Sequence, residues 1–335
     1  MQPKTVAGSH VEWLYSQRMK DTNTFQGADR IELMHTFVRI VEAGSLTAAA
    51  KQLNTTQPTV SRRLKALEQG LGIQLLRRST HAMQLTDDGE RCYTHAKEVV
   101  ASWEALSSDL LGTRETPQGM LRVVVPHAFG QQQLVIPLAQ YAQRYPDVHI
   151  EWLLNDQMPD FVTDNIDCAI HVGTNPDPSV VAVLLAEIPR IVVASPSCPE
   201  IANKLPDIDQ LARLPWLALR TFYRNDLMLS HRTTGEQRKL HFRPRISTDN
   251  LQALRSAALL GLGAAVVSAW AVQEDLQAKK LIHLVPDWQA TPLPVYLVYP
   301  QARHYSSPLR AFLALMREAI PDVPGTTRRQ HNSLR

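Results

Sequence analysis

A chain of 335 residues, 44 % of them hydrophobic, is long enough for two or three domains with real cores. Its net charge is only +3, so any strongly basic surface must be local. No apolar run approaches the roughly 20 residues of a membrane helix. Three cysteines, Cys92, Cys168 and Cys198, without a CxxC spacing, argue against a disulfide framework or a zinc site.

In chain order, residues 1–28 are polar and mixed and lack the apolar core of a signal peptide; they are expected to be either a flexible extension or the product of a start placed too early, with Met19 a candidate true start. Leu33, Phe37, Ile40 and Val41 then recur at helical spacing. Ser45 can cap a short helix whose Ala48-Ala49-Ala50 lets another backbone approach closely. Asn54-Thr55-Thr56 is a polar turn, and Pro58 suits the first turn of a further helix. In that helix Val60, Leu64 and Leu67 form the buried stripe, leaving Thr59, Arg62, Arg63 and Lys65 outside. This is the pattern of a helix-turn-helix whose second helix reads the major groove.

The local charge agrees: Lys51, Arg62, Arg63, Lys65, Arg77 and Arg78 face one acid, Glu68, between Gly44 and Ala82. A helical hairpin with a solvated basic face would give the same local pattern. The following strand, polar turn Ser79-Thr80-His81-Ala82 and second strand make it a winged helix, with Arg78 and His81 placed to reach DNA from the wing. The expected DNA contacts are Thr56, Gln57, Pro58, Thr59, Ser61, Arg62, Lys65, Arg78 and His81. Thr86 can then cap a long helix with Asp87, Asp88 and Glu90 in its first turn. Its stripe of Ala96, Val99 or Val100, Trp103, Leu106 and Leu110 fits packing on its own domain or on a second chain. Gly112 to Gly119 reads as a hinge.

From Met120 strands and helices alternate: Leu121–Val125 strand, Leu134–Tyr145 helix, His149–Leu154 strand, a short helix, then the Cys168–Val172 strand. This order predicts a mainly parallel sheet covered by helices, with ligands beyond the carboxyl ends of the strands. Candidate ligand positions are Pro126-His127-Ala128-Phe129-Gly130, Thr221-Phe222 and Ser247-Thr248-Asp249-Asn250, the first at a helix start suited to an anion. Thr248 and Asp249 also fit simple helix caps, and His127 a surface histidine. Gly261-Leu262-Gly263 follows a helix and precedes a strand, the reverse of a dinucleotide fingerprint, and suits a helix C-terminus. With no GxSxG, HExxH or P-loop, a metabolic enzyme is disfavoured. A structural DNA binder usually lacks so large a second half.

Phe37, Ser45, Ala48-Ala49, Leu53, Gln57-Pro58, Val60-Ser61, Leu64, Leu67-Glu68, Leu71-Gly72, Leu75, Arg78, Leu85-Thr86 and Gly89 carry a resemblance to LysR-type transcriptional regulators. Leu76 departs from the usual Phe. In the second half the cues are Tyr145-Pro146, Asp167-Cys168-Ala169-Ile170-His171-Val172-Gly173 and Gly261–Ala265. His171 stands where many relatives have Arg, which replaces a permanent forked donor with a titratable one.

The resemblance implies an α/β chain: an N-terminal all-α winged helix-turn-helix at 29–86, a dimerisation helix at 87–111, a hinge at 112–119, a two-lobed effector domain similar to periplasmic binding proteins at 120–320, and a flexible tail at 321–335. It implies crossovers between lobes near Ile188–Val193 and Thr291–Tyr296. It implies effector contacts at His127, Ala128, Phe129, Gly130, His171, Thr221, Phe222 and Thr248, and a dimer seam of Val99, Trp103, Leu106 and Leu110. The expected partners are promoter or operator double-stranded DNA, a small anionic effector, a second copy as homodimer and homotetramer, and RNA polymerase. No cofactor, no metal, no catalysis and no membrane are expected, in a cytoplasmic protein. The alternative is a regulator without a small effector, such as a redox sensor.

Overall fold

The structure, a computed structural model, describes residues 29–78, 83–111, 116–174, 176–201 and 205–328. The chain divides into two compact units, Met1–Met120 with Ala302–Arg310, and Leu121–Gln301 with Ala311–Arg335. The expected extension over 1–28, residues 112–115 of the hinge and residues 329–335 of the tail lie outside the described residues.

In the first unit, Asp29 caps α1 (Arg30–Ala43) by accepting from the Ile31 N–H. Ser45 caps α2 (Leu46–Gln52) by accepting from the Ala48 N–H at 3.1 Å. Asn54 takes the left-handed conformation in the turn, at φ 48°. From there α3 (Gln57–Leu71) starts with Pro58 in its first turn. Ala49 and Ala50 are buried in the core they share with Val60, Leu64 and Leu67 of α3. Leu33, Phe37, Ile40, Val60, Leu64, Leu67, Leu75, Tyr93 and Ala96 share one core. The wing is β1 (Leu76–Arg78) paired antiparallel with β2 (Met83–Leu85).

α4 (Asp87–Leu111) follows, capped where Thr86 Oγ accepts from the Gly89 N–H at 2.9 Å. The single apolar stripe expected on it divides in two. Ala96 and Val100 are buried within the unit, whereas Val99, Trp103 and Leu106 stay 41 %, 48 % and 49 % exposed. Leu110 lies at a position whose side chain is outside the described set.

The second unit is built on one mixed sheet. Its strands are β3 (Gly119–Val125), β4 (Val148–Leu154), β5 (Cys168–Val172), β6 (Val180–Ala194), β7 (Trp216–Leu219), β8 (Asp226–His231), β9 (Gln237–His241), β10 (Pro244–Thr248), β11 (Ala264–Ser268), β12 (Ile282–His283) and β13 (Trp288–Pro300). The main order is β10-β7-β11-β6-β13-β5-β3-β4. The expectation of a mainly parallel sheet is corrected. β10 and β11 lie parallel to β7, and β3 to β5, but β6 and β13 pair antiparallel with each other and with their other described neighbours. The reason is that these two long strands cross between lobes in opposite directions. β6 changes partner from β13 to β11 around Ile188–Arg190, and β13 breaks register between Ala290 and Leu293.

The helices are α5 (His127–Gln132), α6 (Val135–Arg144), α7 (Leu251–Leu259), α8 (Gln273–Gln277) and α9 (Ser307–Ala319). The short helix expected before β5 is a run of turns at 161–165. Tyr141 and Trp152 meet the ring of Phe312 edge-on at 5.3 and 6.5 Å. Trp216 stacks on Phe242 at 4.5 Å in the core of the other lobe.

The expectation of a free tail does not hold at 321–328: a short 3-10 helix ends at Asp322, and Thr327 and Glu187 exchange backbone hydrogen bonds of 3.0 and 2.8 Å, an isolated antiparallel bridge to β6.

Gly89 packs directly against backbone in the first unit's core. A Cβ there would lie 2.1 Å from the Leu75 carbonyl oxygen, a backbone atom that cannot swing away. Gly89→Ala should therefore destabilise the chain by about 1–3 kcal/mol. Urea denaturation followed by circular dichroism checks this, and an unchanged midpoint would contradict the close approach.

Candidate functional site

Two sites emerge, one in each unit. On α3, Gln57, Pro58, Arg62 and Lys65 are exposed and Thr59 and Ser61 are half-buried, with Thr56 exposed just before the helix. Thr56 and Thr59 share a hydroxyl hydrogen bond of 2.9 Å, and Arg62 Nη2 donates to Thr59 Oγ at 3.3 Å. A continuous polar, cationic surface thus covers the first two turns. Arg63, expected on that surface, instead turns back to form an ion pair with Glu32 of α1. Glu68, the only acid of the segment, also faces away: its Oε1 accepts from the Leu75 and Leu76 N–H groups at 2.9 and 3.4 Å. Holding both groups against the fold leaves the face free of acid, which favours a polyanion. The side chain of Arg78 and the whole of His81 lie outside the described residues.

In the second unit a cavity of about 620 Å³ opens between the lobes, lined by His127, Asn155, Asp156, Gln157, Arg220, Thr221, Arg224, Asp249 and Asn250. Behind it lies a smaller apolar chamber of about 40 Å³. Ala128 and Phe129 of one lobe line that chamber with Phe222 and Trp270 of the other, and Asp156, Thr221 and Asp249 belong to both spaces. Phe129 and Trp270 meet across the cleft at 6.0 Å between ring centroids. Gly173, at φ 119°, lies against the Phe222 ring, and a Cβ there would be only 3.0 Å from it.

The expected contacts divide. His127, Ala128, Phe129, Thr221 and Phe222 come together at the cleft; Gly130, His171 and Thr248 are not among its lining residues. His171 precedes Val172, which lines the chamber, and alternation along β5 turns the histidine to the other face. Burial moreover lowers its pKa, opposed by the hydrogen bond the ring donates to the Thr174 backbone. Thr248 Oγ accepts from the Asn250 N–H at 3.1 Å. Asp249 does not cap α7. Asn250 does, accepting from the Ala253 N–H, while Asp249 pairs with Arg220 at 2.9 Å over the cavity.

The start of α5, expected to hold an anion, is already occupied by Asp156, whose Oδ1 accepts from the His127 N–H at 3.0 Å. His127 Nδ1 lies 3.4 Å from the same carboxylate. Arg220, Arg224, Asp156 and Trp270 are the residues that sequence reasoning missed. Asp156 and Arg220 sit just beyond the carboxyl ends of β4 and β7, where such sheets collect ligands, so their position was a usable signal. Trp270 has no such signal.

The chain matches the LysR substrate binding domain over residues 114–321, and the bacterial regulatory helix-turn-helix protein, lysR family, over residues 31–90. The chain belongs to the LysR family of transcriptional regulators. It is 30 % identical over 294 residues to the HTH-type transcriptional regulator PtxR of Pseudomonas aeruginosa, covering 87 % of this chain and 93 % of that one. It is 29 % identical over 280 residues to the HTH-type transcriptional activator TtdR of Escherichia coli, covering 83 % and 89 %. Among solved structures, CrgA, a LysR-type transcriptional regulator from Neisseria meningitidis, matches with TM-score 0.51 at 27 % identity, covering 86 % and 97 %. A full-length OxyR variant from Pseudomonas aeruginosa shares the fold, with TM-score 0.61 at 17 % identity over 91 % and 100 %.

The three thiols of this LysR-type chain have no activating cation in command. Burial raises the pKa of Cys92 and raises Cys168 well above the usual thiol value. Burial and a 3.1 Å hydrogen bond to Glu200 push Cys198 up to about 11.

Beside the helix-turn-helix, His35 is pushed down to about 4, by burial first and then by Arg39 and Arg63. It is neutral in the fold and accepts from Arg39 Nε at 3.2 Å. A depressed histidine contributes stability that is intact above its unfolded pKa, ~6.5, and is lost as pH falls toward the folded value. Lowering pH from 7 to 5 should cost about 2 kcal/mol through this group. Urea unfolding of wild type and His35→Gln at both pH values checks it; equal pH dependence in the two would contradict the assignment.

Proposed function

We propose that this LysR-type regulator reads operator DNA with the outer face of α3 and changes its binding when a small molecule with an anionic group occupies the cleft. The observation that carries the DNA half is the acid-free face of α3, with Gln57, Arg62 and Lys65 exposed and Glu68 folded inward. Gln57 and Thr59, near the helix N-terminus, are the base-edge readers; Arg62 and Lys65 hold phosphate or guanine. Arg78 and His81 add the wing contact. Arg220, Arg224 and His127 are the cationic and hydrogen-bonding groups available to the effector. The helix α4 joins two copies through Val99, Trp103 and Leu106, with Leu110 continuing the seam, and paired dimers bind successive half-sites. Output passes to RNA polymerase bound at the same promoter. The redox alternative is disfavoured by the raised thiol pKa values.

Footprinting on the region upstream of the chain's own gene, with and without small carboxylates, tests the reading. Arg62→Ala should weaken operator binding by roughly 1–3 kcal/mol. A folded variant with unchanged affinity at moderate salt would move the interface elsewhere. Leu106→Lys should place an uncompensated charge in the seam and give smaller assemblies in sedimentation, with loss of half-site cooperativity. Wild-type sedimentation and DNA binding in that variant would place the dimer contact off α4.

A further inference from the structure

The charges around the cleft do not suit a simple anion. Its rim carries Arg220 and Arg224, but two carboxylates, Asp156 and Asp249, stand at the neck, lining both the outer cavity and the apolar chamber. Leaving His127 aside, two arginines and two aspartates balance. The positions are also ordered. The guanidinium groups line only the outer space, the acids line the junction, and the inner space is walled by Phe129, Phe222 and Trp270. A ligand lying along this axis meets positive charge, then negative charge, then hydrocarbon.

We infer that the effector is a zwitterion of the α-amino-acid class with a short aliphatic side chain; this rests on the reading of the cleft as the effector site. The carboxylate is held by Arg224, which forms no ion pair among the described residues, and by Arg220. The ammonium lies between Asp156 and Asp249, one from each lobe, so a single cation ties the lobes together. The side chain enters the inner chamber. That chamber's volume of about 40 Å³ decides the size of the group. At roughly 10–15 Å³ per water-sized group it holds about three such groups, which suits a three- or four-carbon branched chain and excludes an aromatic ring unless Phe222 moves. A dicarboxylate would set its second charge against the two aspartates, and a plain fatty acid would draw Arg220 away from Asp249 without supplying a cation in its place.

The test is calorimetric titration of the full-length protein at pH 7 with L-leucine, 4-methylpentanoate, isopentylamine and succinate. 4-Methylpentanoate lacks the ammonium, isopentylamine lacks the carboxylate, and succinate lacks the ammonium and carries a second carboxylate in place of the aliphatic end. Leucine should bind at least ten-fold more tightly than each. Arg224→Gln should weaken leucine at least ten-fold. Asp249→Asn should bring leucine and 4-methylpentanoate within three-fold of each other. Tighter binding of succinate or 4-methylpentanoate, lost in Arg224→Gln, overturns the zwitterion and leaves the cleft as the effector site. Binding of any probe with unchanged affinity in both variants overturns the cleft reading as well. No binding of leucine at millimolar concentration overturns the inference outright.

Discussion

The antiparallel ladder between β6 and β13 is the constraint on which the ligand-binding half depends. It runs from Val180 opposite Pro300 to Arg190 opposite Ala290, and both strands continue from one lobe into the other. The two lobes are therefore joined by hydrogen-bonded strands instead of loose linkers. The cleft opens where the ladder changes partners. Ile188 and Leu293, paired at the end of the regular register, both line the inner chamber. The break beyond them is held by Arg190, whose Nε donates to the Thr291 carbonyl at 2.7 Å. Burial lowers the pKa of Arg190 to about 10, which still leaves it cationic at neutral pH. A buried cation at a crossover is costly to leave with few partners, so small shifts of β13 there change its energy directly.

The placement of charge shapes both sites. In the helix-turn-helix, its one acid between Gly44 and Ala82 and one of its arginines are tied into the fold, Glu68 holding the entry to the wing and Arg63 joining α3 to α1. What remains outside is cationic or neutral. In the cleft the opposite holds: acids stay at the surface of the cavity beside the arginines, and helix starts are capped from within by Asp156 and Asn250. The His127 and Ala253 N–H groups at these helix starts are therefore already satisfied, which leaves the arginine and histidine side chains as the donors facing the cavity.

The helix α4 shows one sequence pattern serving two surfaces. Tyr93, Ala96 and Val100 are buried within the first unit, while Val99, Trp103 and Leu106 form a separate exposed face. Three large apolar residues left about half in water on one helix form an apolar surface that the fold of this unit does not cover.

Much of this was determined by the sequence alone. Capping residues, the Ala48–Ala50 contact, Pro58 and the Val60, Leu64, Leu67 stripe are local rules, so the helix-turn-helix and the exposure of Gln57, Arg62 and Lys65 could be read without a fold. Strands such as Leu121–Val125 and Cys168–Val172 were legible from their apolar runs, but the polar β9 was not, nor were strand directions, because the pairing of β6 with β13 joins residues far apart in the chain, such as Val181 and Tyr299. For the same reason only the tertiary structure decided the cleft. Asp249 and Thr248 are adjacent in sequence, yet one faces the cavity and the other bonds locally to the Asn250 N–H. His171 and Val172 are adjacent too, and the pleat sends them to opposite faces. Trp270, Phe129 and Phe222 come from three distant segments, and no local pattern brings them together; the twist and crossover of one sheet do.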